Sequence, residues 1–284
     1  MLANLNDVLL PAKKGRYAVG LFNTINMEMA RGVIAAAEEL NAPVIIGTAE
    51  ILLPYGPLEE LSYLLVPMAK NASVPVVLHL DHGLKEETCK RALKLGFRSI
   101  MYDCSTSSYE DNIKKVKKMA EFAHSYGASI EAELGHVGDN EGSAEGSDHL
   151  TNPAMFYTQP KQAREFIEAT KADALAIAVG TAHGAYKLPP KLDFDRIKEI
   201  ADIVDTPLVL HGGSGLSDAD FEKAIACGIS KVNIFTDINL AGAKAAAKAY
   251  EKGLGLTDLV EPTVEAVKIE VMKKIHIFKS NGKA

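Results

Sequence analysis

Histidine and aspartate side chains end several apolar segments of this sequence, at points where a strand would meet a loop. Asp81 and His82 end the segment VVLHLDHG, His183 follows AIAVGTA, and His211 ends PLVLH. Three imidazoles that converge on one ion and leave a coordination position open are typical of a catalytic zinc site. A single histidine at a strand end more often makes a structural hydrogen bond, so the hypothesis depends on all three occurring together. The pattern predicts a catalytic metal bound by these three histidines.

Carboxylate side chains also lie at the ends of predicted strands. Asp81 directly precedes His82, Asp103 ends SIMYD, and Glu131 and Glu133 lie at the end of SIEAE. A carboxylate beside a reacting group can take up and return a proton. The sequence therefore predicts acid–base chemistry next to the metal.

Two further segments have the composition of an anion-binding site. His211 is followed by Gly212, Gly213 and Ser214, and the later segment VNIFTD contains Asn233 and Thr236. Glycines allow backbone N–H groups to approach an anion closely. Either segment alone would be interpreted as a tight turn with a helix cap, but the two together favour a site for a phosphate or for sugar hydroxyls.

The elements that must position these side chains form one repeated pattern, in which a short apolar segment is followed by an amphipathic one. Continuous apolar segments of this length are typical of parallel strands that are covered on both faces. The predicted strands are Tyr17–Phe22, Val44–Gly47, Val76–Leu80, Ser99–Asp103, Ser129–Glu133, Ala174–Val179, Leu208–His211 and Lys231–Ile234. The predicted helices between them are Met27–Leu40, Leu58–Ala72, Glu86–Leu95, Tyr109–Tyr126, Gln159–Thr170, Asp193–Val204 and Ser217–Cys227.

Eight strands with intervening helices, and further helices at the C-terminal end, predict an α/β fold of the TIM (β/α)₈ barrel type. A doubly wound open sheet is the alternative, but the sequence contains neither GxGxxG nor a Walker motif. Since no linker rich in Pro, Gly or Ser divides the chain, we expect residues 1–284 to form a single catalytic barrel domain. In such a barrel the carboxyl ends of all strands lie at one mouth, where the polar residues would meet.

Composition excludes several classes of protein. The chain has 284 residues, 47% hydrophobic and 24% charged, which is ordinary for a globular protein. Its 31 basic and 37 acidic residues give a net charge of −6, so we expect neither a nucleic-acid nor a membrane partner. The start has no signal-peptide pattern. Three scattered cysteines without a CxxC motif predict a cytoplasmic protein.

Together, VVLHLDHG, SIEAELG, VGTAHGAYK, PLVLHGGSGL and KVNIFTD resemble the class II, metal-dependent ketose-bisphosphate aldolases, which include the fructose- and tagatose-bisphosphate enzymes. The resemblance covers nearly the whole chain. It implies a TIM barrel lyase of carbohydrate metabolism with Zn²⁺ at its centre. The reaction would be reversible cleavage of a ketose phosphate to dihydroxyacetone phosphate and an aldehyde, through a zinc-stabilised enediolate. The family also implies a homodimer or homotetramer and a monovalent cation, Na⁺ or K⁺, near the phosphate.

The resemblance also implies a role for each matching residue. His82, His183 and His211 would bind the catalytic zinc, and Asp103 and Glu133 would form a second metal position. Asp81 would exchange the proton of the hydroxyl that becomes the aldehyde, and Glu141 would exchange the proton on the nucleophilic carbon. The predicted substrate-binding residues are Asn23, Gly184, Lys187, Gly212, Gly213, Ser214, Asn233, Ile234, Phe235 and Thr236.

Several alternatives remain open at this point. A Schiff-base lysine is disfavoured, because the predicted strand Ala174–Val179 contains none and Lys187 lies beyond the histidine turn. A metal-dependent sugar-phosphate epimerase or isomerase would suit the same barrel, as would a non-catalytic sugar-phosphate sensor. Where many bisphosphate enzymes have a phosphate-binding serine after the second strand, this chain has Ala49, so the aldehyde is not determined.

Overall fold

A computed structural model describes residues 1–137, 156–181, 191–253 and 255–284 of the chain. Within these residues, eight parallel strands form a closed barrel. They are β1 (Val19–Asn23), β2 (Val44–Ala49), β3 (Val76–Gly83), β4 (Ser99–Tyr102), β5 (Ser129–Leu134), β6 (Ala174–Ile177), β7 (Leu208–Leu210) and β8 (Ile229–Ile234). The predicted TIM barrel is confirmed.

Each strand pairs with the strand that follows it in the chain, and β8 returns to pair with β1, which closes the sheet. A two-residue strand, Leu2–Ala3, pairs with the start of β3. This strand was not predicted from the sequence, since two residues are too short to show a pattern. The register aligns Ala49 with Asp81 and Asn23 with Gly47, so the carboxyl ends of neighbouring strands lie at the same level.

Helices surround the barrel. They are α1 (Leu5–Gly15), α2 (Met27–Glu39), α3 (Leu58–Asn71), α4 (Glu86–Lys94), α5 (Tyr109–Ser125), α6 (Pro160–Thr170), α7 (Phe194–Ile203), α8 (Asp218–Cys227), α9 (Thr236–Tyr250) and α10 (Leu256–Ile277). Asn26 and Ser217 begin α2 and α8 as predicted, because their side chains accept hydrogen bonds from the backbone N–H groups of Met29 and Asp220.

Helix α1 was not predicted from the sequence, and it covers the amino-terminal end of the barrel. Its Leu5, Val8 and Leu9 pack with residues near the strand starts, such as Val19 and Val77, in a buried cluster. Asn4 caps the helix through a reciprocal pair of hydrogen bonds with Asp7. This end of the barrel is therefore filled mainly with apolar side chains.

Candidate active site at the mouth of the barrel

An irregularity in β3 brings Asp81 and His82 into the same site. The pairing of β3 with β4 shifts between Leu80 and Gly83, so β3 has one residue more than its partner over this stretch. His82 lies within the shift with a φ of 42°, in the left-handed region. Consecutive residues of a regular strand point to opposite faces, whereas a bulge changes the direction of one side chain. Consequently both side chains contact residues of the barrel mouth.

Asp81 is 2% exposed, and each of its carboxylate oxygens accepts a hydrogen bond from an amide. Asn23 Nδ2 lies 2.7 Å from Oδ2, and Asn233 Nδ2 lies 3.0 Å from Oδ1. Burial raises the pKa of this carboxyl, but the nearby His82, Lys231 and His211 outweigh burial and hold the pKa well below its ordinary value. Asp81 is therefore ionised, and both of its carboxylate oxygens are hydrogen-bond acceptors.

His211 follows β7 and is completely buried between two carboxylates of β5. Its Nε2 lies 2.8 Å from Oε1 of Glu131, and its Nδ1 lies 3.1 Å from Oε2 of Glu133. Burial lowers the pKa of this imidazole, but hydrogen bonds to the two carboxylates outweigh burial and raise the pKa to about 10. The site therefore stabilises positive charge at this position.

His82 lies against His211, with ring centroids 4.6 Å apart and ring planes inclined by 65°. Its Nδ1 is 3.0 Å from Oδ2 of Asp103, and the other oxygen of Asp103 accepts hydrogen bonds from the N–H and the hydroxyl of Ser105. Burial lowers the pKa of His82, but the charge of Asp81 and the bond to Asp103 outweigh it and raise that pKa.

Two groups of side chains at this mouth could bind a metal ion. Asp81, His82 and His211 place one donor atom each within 4.8 Å of one another, and His82, Asp103 and Glu133 do the same. Imidazole nitrogens and carboxylate oxygens are ligands of Zn²⁺ and related divalent ions. The imidazoles are also oriented by carboxylates, as is usual for metal-binding histidines. The residues present therefore fit a divalent metal.

The loops after β7 and β8 lie side by side, as the phosphate hypothesis requires. The N–H of Gly213 donates to the carbonyl of Asn233 at 3.3 Å, and the N–H of Phe235 donates to Oγ of Ser214 at 3.2 Å. A Cβ at Gly213 would lie 2.8 Å from Val232 Cγ1, so this close approach requires glycine. Helix α9 begins at Thr236, and a helix N-terminus favours an anion.

The remaining predicted residues divide into two sets. Gly212 has a φ of 64°, which suits glycine in this turn, and Ile234 is buried at the end of β8. Glu141, His183, Gly184 and Lys187 lie outside the described residues. Their predicted roles therefore stay predictions.

Several buried residues that lie beneath the site were not predicted from the sequence to have a role. Lys231 is completely buried. It forms an ion pair with Glu131 and donates a hydrogen bond to Asn233. His79, also buried, is hydrogen-bonded to Ser99 at 2.6 Å. The available signal was the period of two: Glu131 and Glu133, like Lys231 and Asn233, are polar residues two apart in otherwise apolar strands. Such pairs point to the same side of a sheet, here the barrel interior.

Comparisons with known proteins agree on one family. The family model for fructose-bisphosphate aldolase class II matches residues 3–283. A fructose-bisphosphate aldolase of Staphylococcus aureus (strain Mu50) is 39% identical, over 100% of this chain and 99% of the relative. The enzyme of the same name from Geobacillus stearothermophilus is 38% identical with the same coverage.

A solved aldolase structure is also similar to this chain over its full length. The crystal structure of the YdjI aldolase from Escherichia coli K12 superimposes with a TM-score of 0.90 and is 39% identical, with 100% of both chains covered.

Among the described residues, the helices are all too short or too polar to cross a membrane.

Proposed function

Because the chain belongs to the class II fructose-bisphosphate aldolase family and is therefore an aldolase, we propose that it cleaves a ketose phosphate reversibly to dihydroxyacetone phosphate and an aldehyde. The observation that carries this proposal is the grouping of Asp81, His82 and His211 at the barrel mouth, with donor atoms within 4.8 Å. An ionised carboxylate beside a metal site is what a retro-aldol cleavage needs, since one group must take a proton while another stabilises negative charge.

We propose Zn²⁺ as the metal. His82 and His211 would hold it together with His183, which the sequence predicts as the third ligand. When bound, the ion supplies Lewis-acid stabilisation of the enediolate charge left on the donor fragment. Glu131 and Asp103 orient the two imidazoles, because each accepts a hydrogen bond from one ring nitrogen.

Asp81 is the acid–base group of this proposal. In the cleavage direction it takes the proton of the hydroxyl that becomes the aldehyde oxygen, and in the condensation direction it returns that proton. Its two amide partners, Asn23 and Asn233, hold the carboxylate in one orientation. Glu141 would exchange the proton on the donor carbon, a role that rests on the family resemblance alone.

We place the phosphate of the substrate at the two adjacent loops. The turn at Gly212 and Gly213, the hydroxyl of Ser214 and the start of α9 at Thr236 would bind it, with Gly184 and Lys187 as further predicted contacts. A monovalent cation, Na⁺ or K⁺, would lie close to the same phosphate.

The second metal position is proposed at Asp103 and Glu133, which form a second group of possible ligands with His82. We also propose a homodimer or homotetramer in the cytoplasm. The family resemblance supports the assembly, and three free cysteines support the reducing compartment.

Removal of the metal tests the proposed function. Exhaustive dialysis against a chelator should lower the rate of triose phosphate release from a ketose phosphate by at least about 100-fold, because charge stabilisation by the ion is lost. Added Zn²⁺ should restore the rate, and thermal unfolding would show that the chelated chain is still folded. Full activity of the metal-free, folded chain would contradict the metal-dependent mechanism. An isomerised ketose in place of a trappable triose phosphate would indicate the epimerase or isomerase alternative.

A further inference from the structure

Lys231 is a charged side chain that is buried within the barrel. It lies on β8, is 0% exposed, and pairs in the sheet with Val19 and Val209 of the neighbouring strands. An ammonium group is rarely buried completely, because leaving water has a large cost in free energy unless the charge is paired. Lys231 has two polar partners, and each partner contacts a different residue of the active site.

The first partner is Asn233. Lys231 Nζ donates to Oδ1 of Asn233 at 2.7 Å, and Nδ2 of Asn233 donates to Oδ1 of Asp81 at 3.0 Å. An ammonium group can only donate hydrogen bonds and an ionised carboxylate can only accept them. The amide of Asn233 therefore has one stable orientation, with its oxygen towards Lys231 and its N–H groups towards Asp81.

The second partner is Glu131. Lys231 Nζ lies 2.8 Å from Oε2 of Glu131, and Oε1 of the same carboxylate lies 2.8 Å from Nε2 of His211. A carboxylate at Nε2 keeps a proton on that nitrogen and leaves Nδ1 as the possible metal donor. Nδ1 lies 3.1 Å from Oε2 of Glu133, which belongs to the second group of possible metal ligands. Lys231 thus holds the carboxylate that determines the tautomer and orientation of His211.

We propose that Lys231 is a positioning residue that orients the acid–base group Asp81 and the metal ligand His211 through one buried ammonium group. It contacts Asn233 and Glu131, and these two residues contact Asp81 and His211. The inference rests on the proposed function, because it assigns Asp81 and His211 the roles given above. It adds that the two roles are coupled through a single residue of β8.

The test replaces Lys231 by methionine, which is similar in length and lacks the charge. For Lys231→Met we expect kcat to fall by about 10- to 100-fold and the Zn²⁺ affinity to fall by about 10- to 100-fold, the usual effect of removing a group that orients a metal ligand. KM for the ketose phosphate should stay within about threefold, because Lys231 is not among the proposed phosphate contacts. A purely structural lysine would lower the thermal stability only.

Two further variants complete the design. The double variant Glu131→Gln with Lys231→Met removes both buried charges, and it keeps the test valid if the single variant fails to fold. Its kcat should stay low, because Asn233 still lacks the donor that orients it. Lys268→Met is the matched control, since Lys268 is ion-paired with Glu39 between α10 and α2, outside the barrel. It should keep the kcat and Zn²⁺ affinity of the wild type.

The outcomes distinguish a failure of the proposed function from a failure of the positioning role of Lys231. If the wild-type enzyme keeps its activity after metal removal, the metal-dependent mechanism of the proposed function fails. If the wild type depends on Zn²⁺ but folded Lys231→Met, or the folded double variant, has wild-type kcat and Zn²⁺ affinity, only the positioning role of Lys231 is wrong.

Discussion

At the scale of single residues, the chemistry of this protein depends on how a few polar groups are paired where water is excluded. Asp81 is buried and yet ionised, because two amides and several positive groups stabilise its charge. His211 has a carboxylate at each ring nitrogen. A buried polar group without such partners would be costly, so each of these pairs contributes both to the fold and to the site.

Asp81→Ala tests the residue scale. We expect intact Zn²⁺ binding, since the imidazoles remain, and a kcat lower by at least about 100-fold, the range that loss of an acid–base group implies. Steady-state kinetics and metal analysis of the purified variant would check both. Asp202→Ala removes an exposed carboxylate that pairs with Lys198, and it should leave the turnover unchanged. Unchanged turnover of Asp81→Ala would remove Asp81 from its proposed role.

At the scale of elements, the strands position the polar residues of the site, and the helices pack around the barrel. The strands bring their polar residues to one mouth, and the bulge in β3 brings Asp81 and His82 to the same side of that mouth. Helix α1 fills the opposite end with apolar side chains. Loss of apolar contacts in α1 should therefore affect stability without affecting the chemistry.

Leu9→Ala tests this separation. Leu9 is 0% exposed, so the variant should lose about 2–5 kcal/mol of unfolding free energy through the cavity it leaves. Its kcat, measured well below the unfolding temperature, should match the wild type. The neighbouring Leu10 is 51% exposed, and Leu10→Ala should change the stability by less than about 0.5 kcal/mol. Equal stability losses in the two variants would show that α1 does not close the barrel in this way.

At the scale of the whole molecule, segments from both ends of the sequence must meet to close the barrel. β8 pairs with β1, the N–H of Ala18 donates to the carbonyl of Phe278, and α10 packs along α2. Gly32 of α2 lies at this contact. A Cβ there would lie 2.8 Å from the carbonyl oxygen of Val264 and 2.8 Å from Cβ of Val267.

Gly32→Ala should therefore destabilise the protein by about 1–3 kcal/mol through overpacking, although alanine favours a helix by about 1 kcal/mol over glycine. Gly242→Ala in α9 is the matched variant. Its added Cβ would meet side-chain carbons at 3.3 and 3.4 Å, and its stability should stay within about 1 kcal/mol of the wild type. Chemical denaturation of both variants measures the difference. A Gly32→Ala chain as stable as Gly242→Ala would contradict the tight α2–α10 contact.

Much of this protein was predictable from local sequence patterns. Short apolar segments identify the eight strands, as Val76–Leu80 does for β3, because parallel strands of a barrel are buried on both faces. The order of motifs identifies the family, and strand ends identify Asp81, His82, Asp103, Glu133 and His211 as candidates. Helix α1 was not predicted, because its apolar residues can be assigned to the core only when the barrel end that they cover is known.

The sequence by itself determined which residue types stand at the strand ends, and with them the fold and the class of chemistry, because the period of apolar residues and the donor atoms of side chains are local properties. Only the tertiary structure decided how those groups pair. The left-handed His82 in the β3 bulge and the bonds from Lys231 to Glu131 and Asn233 depend on strands far apart in the chain. Their geometry arises from closure of the barrel, which brings together groups that no local pattern relates.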